Sequence, residues 1–122
     1  MGKNILVIDD DEETLLLLEE MLRYSDFNVN GIKGTSDILK VIEEVKPDLL
    51  ITDYILQGIN GGELCHQVKT NPKTAHLPVV LMSAYPRVLE SLGNYGCDVF
   101  TTKPFDMNQL ITSINDCLHM AV

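Results

Sequence analysis

The sequence predicts an α/β fold, a doubly wound parallel sheet of five strands with helices on both faces. Three observations predict it. Short β-rich runs alternate with stretches of helical spacing along the whole chain of 122 residues. Five such strand–helix units follow one another, the pattern of a parallel sheet with crossover helices. The runs are also almost continuously apolar, as strands buried on both faces are.

The strands are expected at Asn4–Ile8, Phe27–Ile32, Leu49–Thr52, Val79–Ser83 and Val99–Thr102. The first helix should start near Asp11. Asp10 and Asp11 can cap it, and Glu12 and Glu13 suit its positive end. Within it Leu15, Leu18 and Leu22 share one face with Met21 at the edge, Leu17 and Tyr24 lie beyond, and Leu16 points away. The second helix spans Ser36–Val45, with Ile38, Leu39, Val41, Ile42 and Val45 as its apolar side and Pro47 as its stop. The third runs from Gly61 to Thr70 and ends at Asn71-Pro72. The fourth starts near Pro86 and ends before Gly93 or Gly96, interrupted by poor helix formers. The fifth covers Asp106–His119, where Met107, Leu110, Ile111, Ile114 and Leu118 make one face.

Composition narrows the function. The apolar share is 45%, the charged share 22% and the net charge −9. No basic cluster along the sequence offsets that charge, which argues against a nucleic-acid surface. No apolar run approaches the roughly 20 residues of a membrane helix. Neither a signal peptide nor a myristoylation motif is present, since Leu6 stands where the latter needs a hydroxyl. The expectation is a soluble, cytoplasmic protein without a membrane partner. Cys65, Cys97 and Cys117 are scattered and odd in number, so small apolar side chains are expected rather than a disulfide or zinc framework. The whole chain, residues 1–122, reads as one domain, with nothing left over for an output domain.

In an open parallel sheet, ligands bind beyond the carboxyl ends of the strands. The first strand ends in Asp9-Asp10, the third in Asp53, the fourth in Ser83-Ala84 and the fifth in Lys103-Pro104-Phe105. Three carboxylates, a hydroxyl and an ammonium should therefore meet at one mouth. Crowded carboxylates repel one another, and a hard divalent cation such as Mg²⁺ relieves that repulsion. An aspartate can attack phosphorus to give an acyl phosphate. Phosphoryl transfer needs mainly positioning and neutralised oxygens, which a metal, a lysine and a hydroxyl supply.

The pieces Val7-Ile8-Asp9-Asp10, Leu50-Ile51-Thr52-Asp53, Gly61, Leu81-Met82-Ser83-Ala84 and Thr102-Lys103-Pro104-Phe105 resemble the receiver domain of two-component response regulators. They cover essentially the whole chain in order. The resemblance implies a flavodoxin-like strand order 2-1-3-4-5. It implies Asp53 as phosphoacceptor, Asp9 and Asp10 as ligands of Mg²⁺ together with Asp53, and Ile55 as donor of a main-chain carbonyl to that metal. It further implies Ser83 as switch hydroxyl, Lys103 as partner of the phosphoryl group and Phe100 as the aromatic that moves with Ser83. The Lys103-Pro104 bond matches one that is usually cis in the family. Gln57-Gly58 departs from the family, which usually has a proline in that loop, and Phe100 lacks the hydroxyl of the tyrosine many relatives carry. The implied partners are a sensor histidine kinase or a histidine phosphotransfer protein, docking near Thr14 and Leu17. An unidentified downstream protein would read the face of the fourth helix, fifth strand and fifth helix. Bulky Ile55 and Tyr85 flank the route of attacking water, so slow self-dephosphorylation is expected.

Ordinary roles compete with each of these. Asp11 suits a plain helix cap, Asp53 alone could be a turn residue, and exposed leucines are common. His66, His76 and His119 are scattered singly and read as solvated surface groups. A haloacid-dehalogenase-type phosphatase would also use a strand-end aspartate, but its D-x-D-x-[TV] pattern fails here, with Thr14 one residue too late. A flavodoxin-like electron carrier would need a hydroxyl- and glycine-rich loop after the first strand, where this chain has acids. The reading is a regulatory switch rather than an enzyme, carried by this chain alone or excised from a larger regulator or hybrid kinase.

Overall fold

The computed structural model describes residues 2–54, 60–83, 98–103 and 106–120. Five parallel strands form one sheet: β1 (Asn4–Ile8), β2 (Asn28–Ile32), β3 (Leu49–Asp53), β4 (Val79–Ser83) and β5 (Val99–Thr102). Their order is β2-β1-β3-β4-β5, as the resemblance implied. The described helices are α1 (Glu12–Tyr24), α2 (Ile38–Val45), α3 (Gly61–Thr70) and α4 (Met107–Met120). The last of these is the fifth helix of the sequence pattern. The helix expected after Pro86 lies outside the described residues.

Strand alternation splits the core into two layers. Ile5, Val7, Leu49, Ile51, Val80 and Met82 face one side, against Leu15, Leu18 and Leu22 of α1 and Leu110 and Ile114 of α4. Leu6, Ile8, Leu50, Val79 and Leu81 face the other, against Ile38 of α2 and Leu64, Cys65 and Val68 of α3. Cys117 is also buried, so Cys65 and Cys117 serve as small core side chains.

Strand β3 runs one residue beyond expectation, to Asp53, and the last helix is displaced by one residue, to Met107–Met120; the starts of β2 and α2 differ for clear reasons. Strand β2 starts at Asn28, because the Phe27 N–H is already used to close α1. It donates to the Leu22 carbonyl (3.1 Å) and Asp26 N–H donates to the Arg23 carbonyl (3.0 Å). Asp26 takes a left-handed φ of 69° between them, which makes a Schellman closure with an aspartate where glycine is commoner. Helix α2 starts at Ile38, because Asp37 is its cap and accepts the Lys40 N–H at 3.2 Å. It ends on Lys46 with φ 55°, just before Pro47.

The lower edge of the sheet is pinned by a repeated device. Asp48 N–H donates to the Asn4 carbonyl (2.7 Å) while the Asp48 carboxylate accepts the Asn4 N–H (2.8 Å). Asp98 does the same to Val79, at 2.9 and 2.8 Å. Each aspartate precedes its strand and fixes that strand's register on its neighbour.

Candidate functional site

At the opposite edge, the strands end in polar residues. Asp9 follows Ile5 and Val7 on one face of β1, and Asp53 follows Leu49 and Ile51 on the same face of β3. Ile8 pairs with Thr52, so the two aspartates leave the sheet side by side. Strand β4 brings Ser83 level with Thr102 of β5, and the Lys103 N–H donates to the Ser83 carbonyl at 2.8 Å. Lys103 then reaches back across the mouth. Its Nζ lies 2.8 Å from Asp9 Oδ2 and 3.1 Å from Asp53 Oδ1.

The backbone around Asp53 is tightly held. The Thr52 hydroxyl donates to the Asp53 carbonyl at 3.1 Å. The Tyr54 N–H donates to the Met82 carbonyl (2.7 Å), and the Gly61 N–H to the Tyr54 carbonyl (2.8 Å). A Cβ on Gly61 would stand 2.0 Å from the Asp53 carbonyl oxygen. Glycine is thus required here for close backbone approach. Asn60 caps α3, its side chain accepting the Glu63 N–H at 2.8 Å.

The electrostatics follow from burial. Asp9 is fully buried and Asp53 nearly so, while Asp10 is exposed. Burial pushes the Asp53 carboxyl above its ordinary range, outweighing the hydrogen bond and charge of Lys103, with the Asp9 and Asp10 charges adding to the rise. Burial alone would lower the Lys103 ammonium, but bonds to Asp9 and Asp53 more than compensate and hold it above its usual value. Lys103 therefore stays charged at neutral pH.

Asp9, Asp10 and Asp53 offer carboxylate oxygens that all lie within 4.8 Å of one another. Among the described residues one ammonium, that of Lys103, stands against these three carboxylates, so anions outnumber cations there. An all-oxygen donor set with that deficit fits Mg²⁺.

The remaining predicted residues fall as follows. Asp11 occupies the cap position of α1, but its carboxylate caps no backbone N–H. It accepts the Thr14 hydroxyl at 2.5 Å instead, and that bond holds its carboxyl below the ordinary range. Asp9 takes over locally, its Oδ1 accepting the Asp11 N–H at 2.9 Å. An aspartate two residues before the cap is the sequence signal for this turn. Leu15, Leu18 and Leu22 are buried, while Leu17 is 48% and Tyr24 91% exposed. Ser83 is buried at the mouth, whereas Phe100, on the edge strand β5, is 39% exposed and faces outward. Ile55, Gln57-Gly58, Ala84-Tyr85, Cys97 and Pro104-Phe105 lie outside the described residues. No described helix is long and apolar enough to cross a membrane.

Comparison with known proteins agrees with this geometry. The response regulator receiver domain model matches residues 5–115. The phosphate regulon transcriptional regulatory protein PhoB of Rhizobium meliloti is 31% identical over 99% of this chain, which spans 54% of that protein's length. Histidine kinase P4 of Formosa agariphila is 29% identical over 93% of the chain, which spans 8% of that kinase. Among solved structures, the signal receiver domain of a histidine kinase from Syntrophus aciditrophicus superposes with a TM-score of 0.86 at 26% identity, covering 97% of this chain and 91% of that one. The response regulator TrrA from Thermotoga maritima, in complex with Mg²⁺ and BeF, gives 0.85 at 25% identity, covering 94% and 98%. The chain spans about half the length of PhoB and a small fraction of the kinase. With its strand order, its acidic mouth and the family match over residues 5–115, this chain belongs to the response regulator receiver domain family.

Proposed function

We propose that residues 1–122 act as a switch thrown by phosphorylation of Asp53. The observation that carries this is the double ion pair of Lys103 with Asp9 and Asp53, beside Asp10. The phosphoryl donor is the phosphohistidine of a sensor histidine kinase or histidine phosphotransfer protein. Asp53 attacks the phosphorus, an O–P bond forms, the P–N bond to the imidazole breaks, and that nitrogen keeps the electron pair. Asp9, Asp10, Asp53 and the Ile55 main-chain carbonyl would hold Mg²⁺. Bound there, it supplies positive charge to the phosphoryl oxygens. Lys103 moves its bond from Asp53 to one of those oxygens, and the Ser83 hydroxyl donates to another. Asp9 keeps Lys103 aimed at the mouth throughout.

Movement of Ser83 and repacking of Phe100 would pass the change to the edge of β5 and to α4, altering affinity for a downstream protein. Thr14 and Leu17, on α1 next to the mouth, are the docking residues for the donor. The setting is cytoplasmic, within a phosphorelay, and the module works in a larger regulator or kinase or by itself.

The test is incubation with acetyl phosphate and Mg²⁺, followed by intact mass measurement. One phosphoryl group should appear, require the metal, and be absent from Asp53→Asn. Phosphorylation of Asp53→Asn to the same extent would overturn the assignment.

A further inference from the structure

The opposite flank of the molecule carries a feature that phosphorylation does not use. Between α2 and the segment joining α3 to β4 lies an open groove of about 910 Å³. Leu39, Ile42 and Pro47 line it, all only partly buried. In α2 only Ile38 is fully buried; Leu39 and Ile42 pack partly against the core and leave the rest of their apolar surface facing the groove.

The groove's rim is basic. Lys40, Lys46 and Lys73 line it, brought together from two separate stretches of chain. Arg23, Lys33, Lys69 and Lys103 are each engaged in ion pairs elsewhere. Of the described cations without an acidic partner, Lys3, Lys40, Lys46 and Lys73, three therefore surround this one groove. Two acids also line it, Asp37 and Glu43. Neither comes within ion-pair distance of these lysines, and Asp37 already accepts the Lys40 N–H as the cap of α2. Three lysines against two acids leave the groove one positive charge in excess, on a chain of net charge −9.

We propose that the α2–α3 groove docks an acidic amphipathic segment of a partner protein. Its apolar side chains would cover Leu39, Ile42 and Pro47, and its carboxylates would meet Lys40, Lys46 and Lys73. The apolar floor favours a peptide over a nucleic acid, whose polyanionic backbone the rest of this acidic surface repels. The groove lies by the amino ends of β3 and β4, at the edge of the sheet away from Asp53, so its occupancy is separable from phosphorylation.

The test uses amide chemical shifts of the whole chain. The probe is a synthetic helical peptide with leucines at i, i+3, i+4 and i+7 and glutamates between them. Shifts should map to Leu39, Ile42 and Lys73, and affinity should fall as salt rises. Lys40→Glu with Lys73→Glu should weaken binding about tenfold or more. The same double variant should gain affinity for a peptide with lysines in place of the glutamates. Its reaction with acetyl phosphate should be unchanged, which also shows that it is folded. The proposal is overturned if the acidic peptide binds the reversed variant as well as the original. Shifts that map elsewhere, or a DNA duplex that binds the groove more tightly than the peptide, would overturn it equally.

Discussion

Asp53 sits where two opposing effects meet, and this makes its charge measurable. Burial raises its carboxyl above the ordinary value of 3.8, despite the ammonium of Lys103. A group whose folded-state value is raised contributes its full stabilisation below its unfolded value, and that contribution is lost as pH rises through the folded value. Ionised Asp53 therefore costs the metal-free fold stability at neutral pH. Asp53→Asn should be more stable than the wild type at pH 7 by on the order of 1 kcal/mol. The gap should close in acid, below 3.8, and shrink when Mg²⁺ is added, because only the wild type keeps the full carboxylate set. Urea unfolding across pH, with and without Mg²⁺, measures this; a wild type more stable than the variant in metal-free buffer at pH 7 would contradict it. These residues were legible because each stands where an apolar strand run stops. The Thr52 hydroxyl bond to the Asp53 carbonyl was not, since a threonine inside a strand has an ordinary alternative as a β-former.

At the scale of elements, α3 and β3 are held at backbone contact by Gly61. Gly61→Ala would force a Cβ to within 2.0 Å of the Asp53 carbonyl oxygen, and backbone on both sides must give. A loss of about 2 kcal/mol is expected, together with slower phosphorylation by acetyl phosphate, because the displaced carbonyl belongs to Asp53, the proposed acceptor. Chemical denaturation and mass-monitored kinetics check both. Helix α1 gives a second prediction. Leu17 is half exposed beside the mouth, whereas Leu15 and Leu18 are buried. Leu17→Glu should slow transfer from a phosphohistidine protein about tenfold and leave acetyl phosphate reactivity intact; equal loss with both donors would remove the docking role. The spans of the described strands and helices were legible to within two residues, from apolar periodicity and turn residues. Among the differences within that margin are the starts of β2 and α2. There main-chain bonds at Phe27 and the Asp37 cap set the boundary, and hydrophobic pattern carries neither signal.

Across the whole molecule, the strand order is what converts scattered residues into a site. Asp9 and Lys103 are 94 positions apart and meet at 2.8 Å. Sequence order alone did not place them together; the parallel topology did, because it gathers every strand's carboxyl end at one edge. The same folding gathers Lys40, Lys46 and Lys73 on another flank, a basic cluster that reading along the chain does not reveal. The lower edge, with the Asp48 and Asp98 clamps, carries strand register, so one edge of the sheet holds geometry and the other holds chemistry.

The long reach of Lys103 also sets an order in time. A chain that grows from its N-terminus carries Asp9, Asp10 and Asp53 well before Lys103 exists. The half-sheet of β2, β1 and β3 can assemble with its carboxylates facing one another and no cation between them. Strand β5 is paired on one side only, at the margin of the sheet, and it carries the missing ammonium. Closure of that strand and pairing of Asp9 with Lys103 are a single event, so the newborn domain gains the cation of its acidic site only when β5 docks.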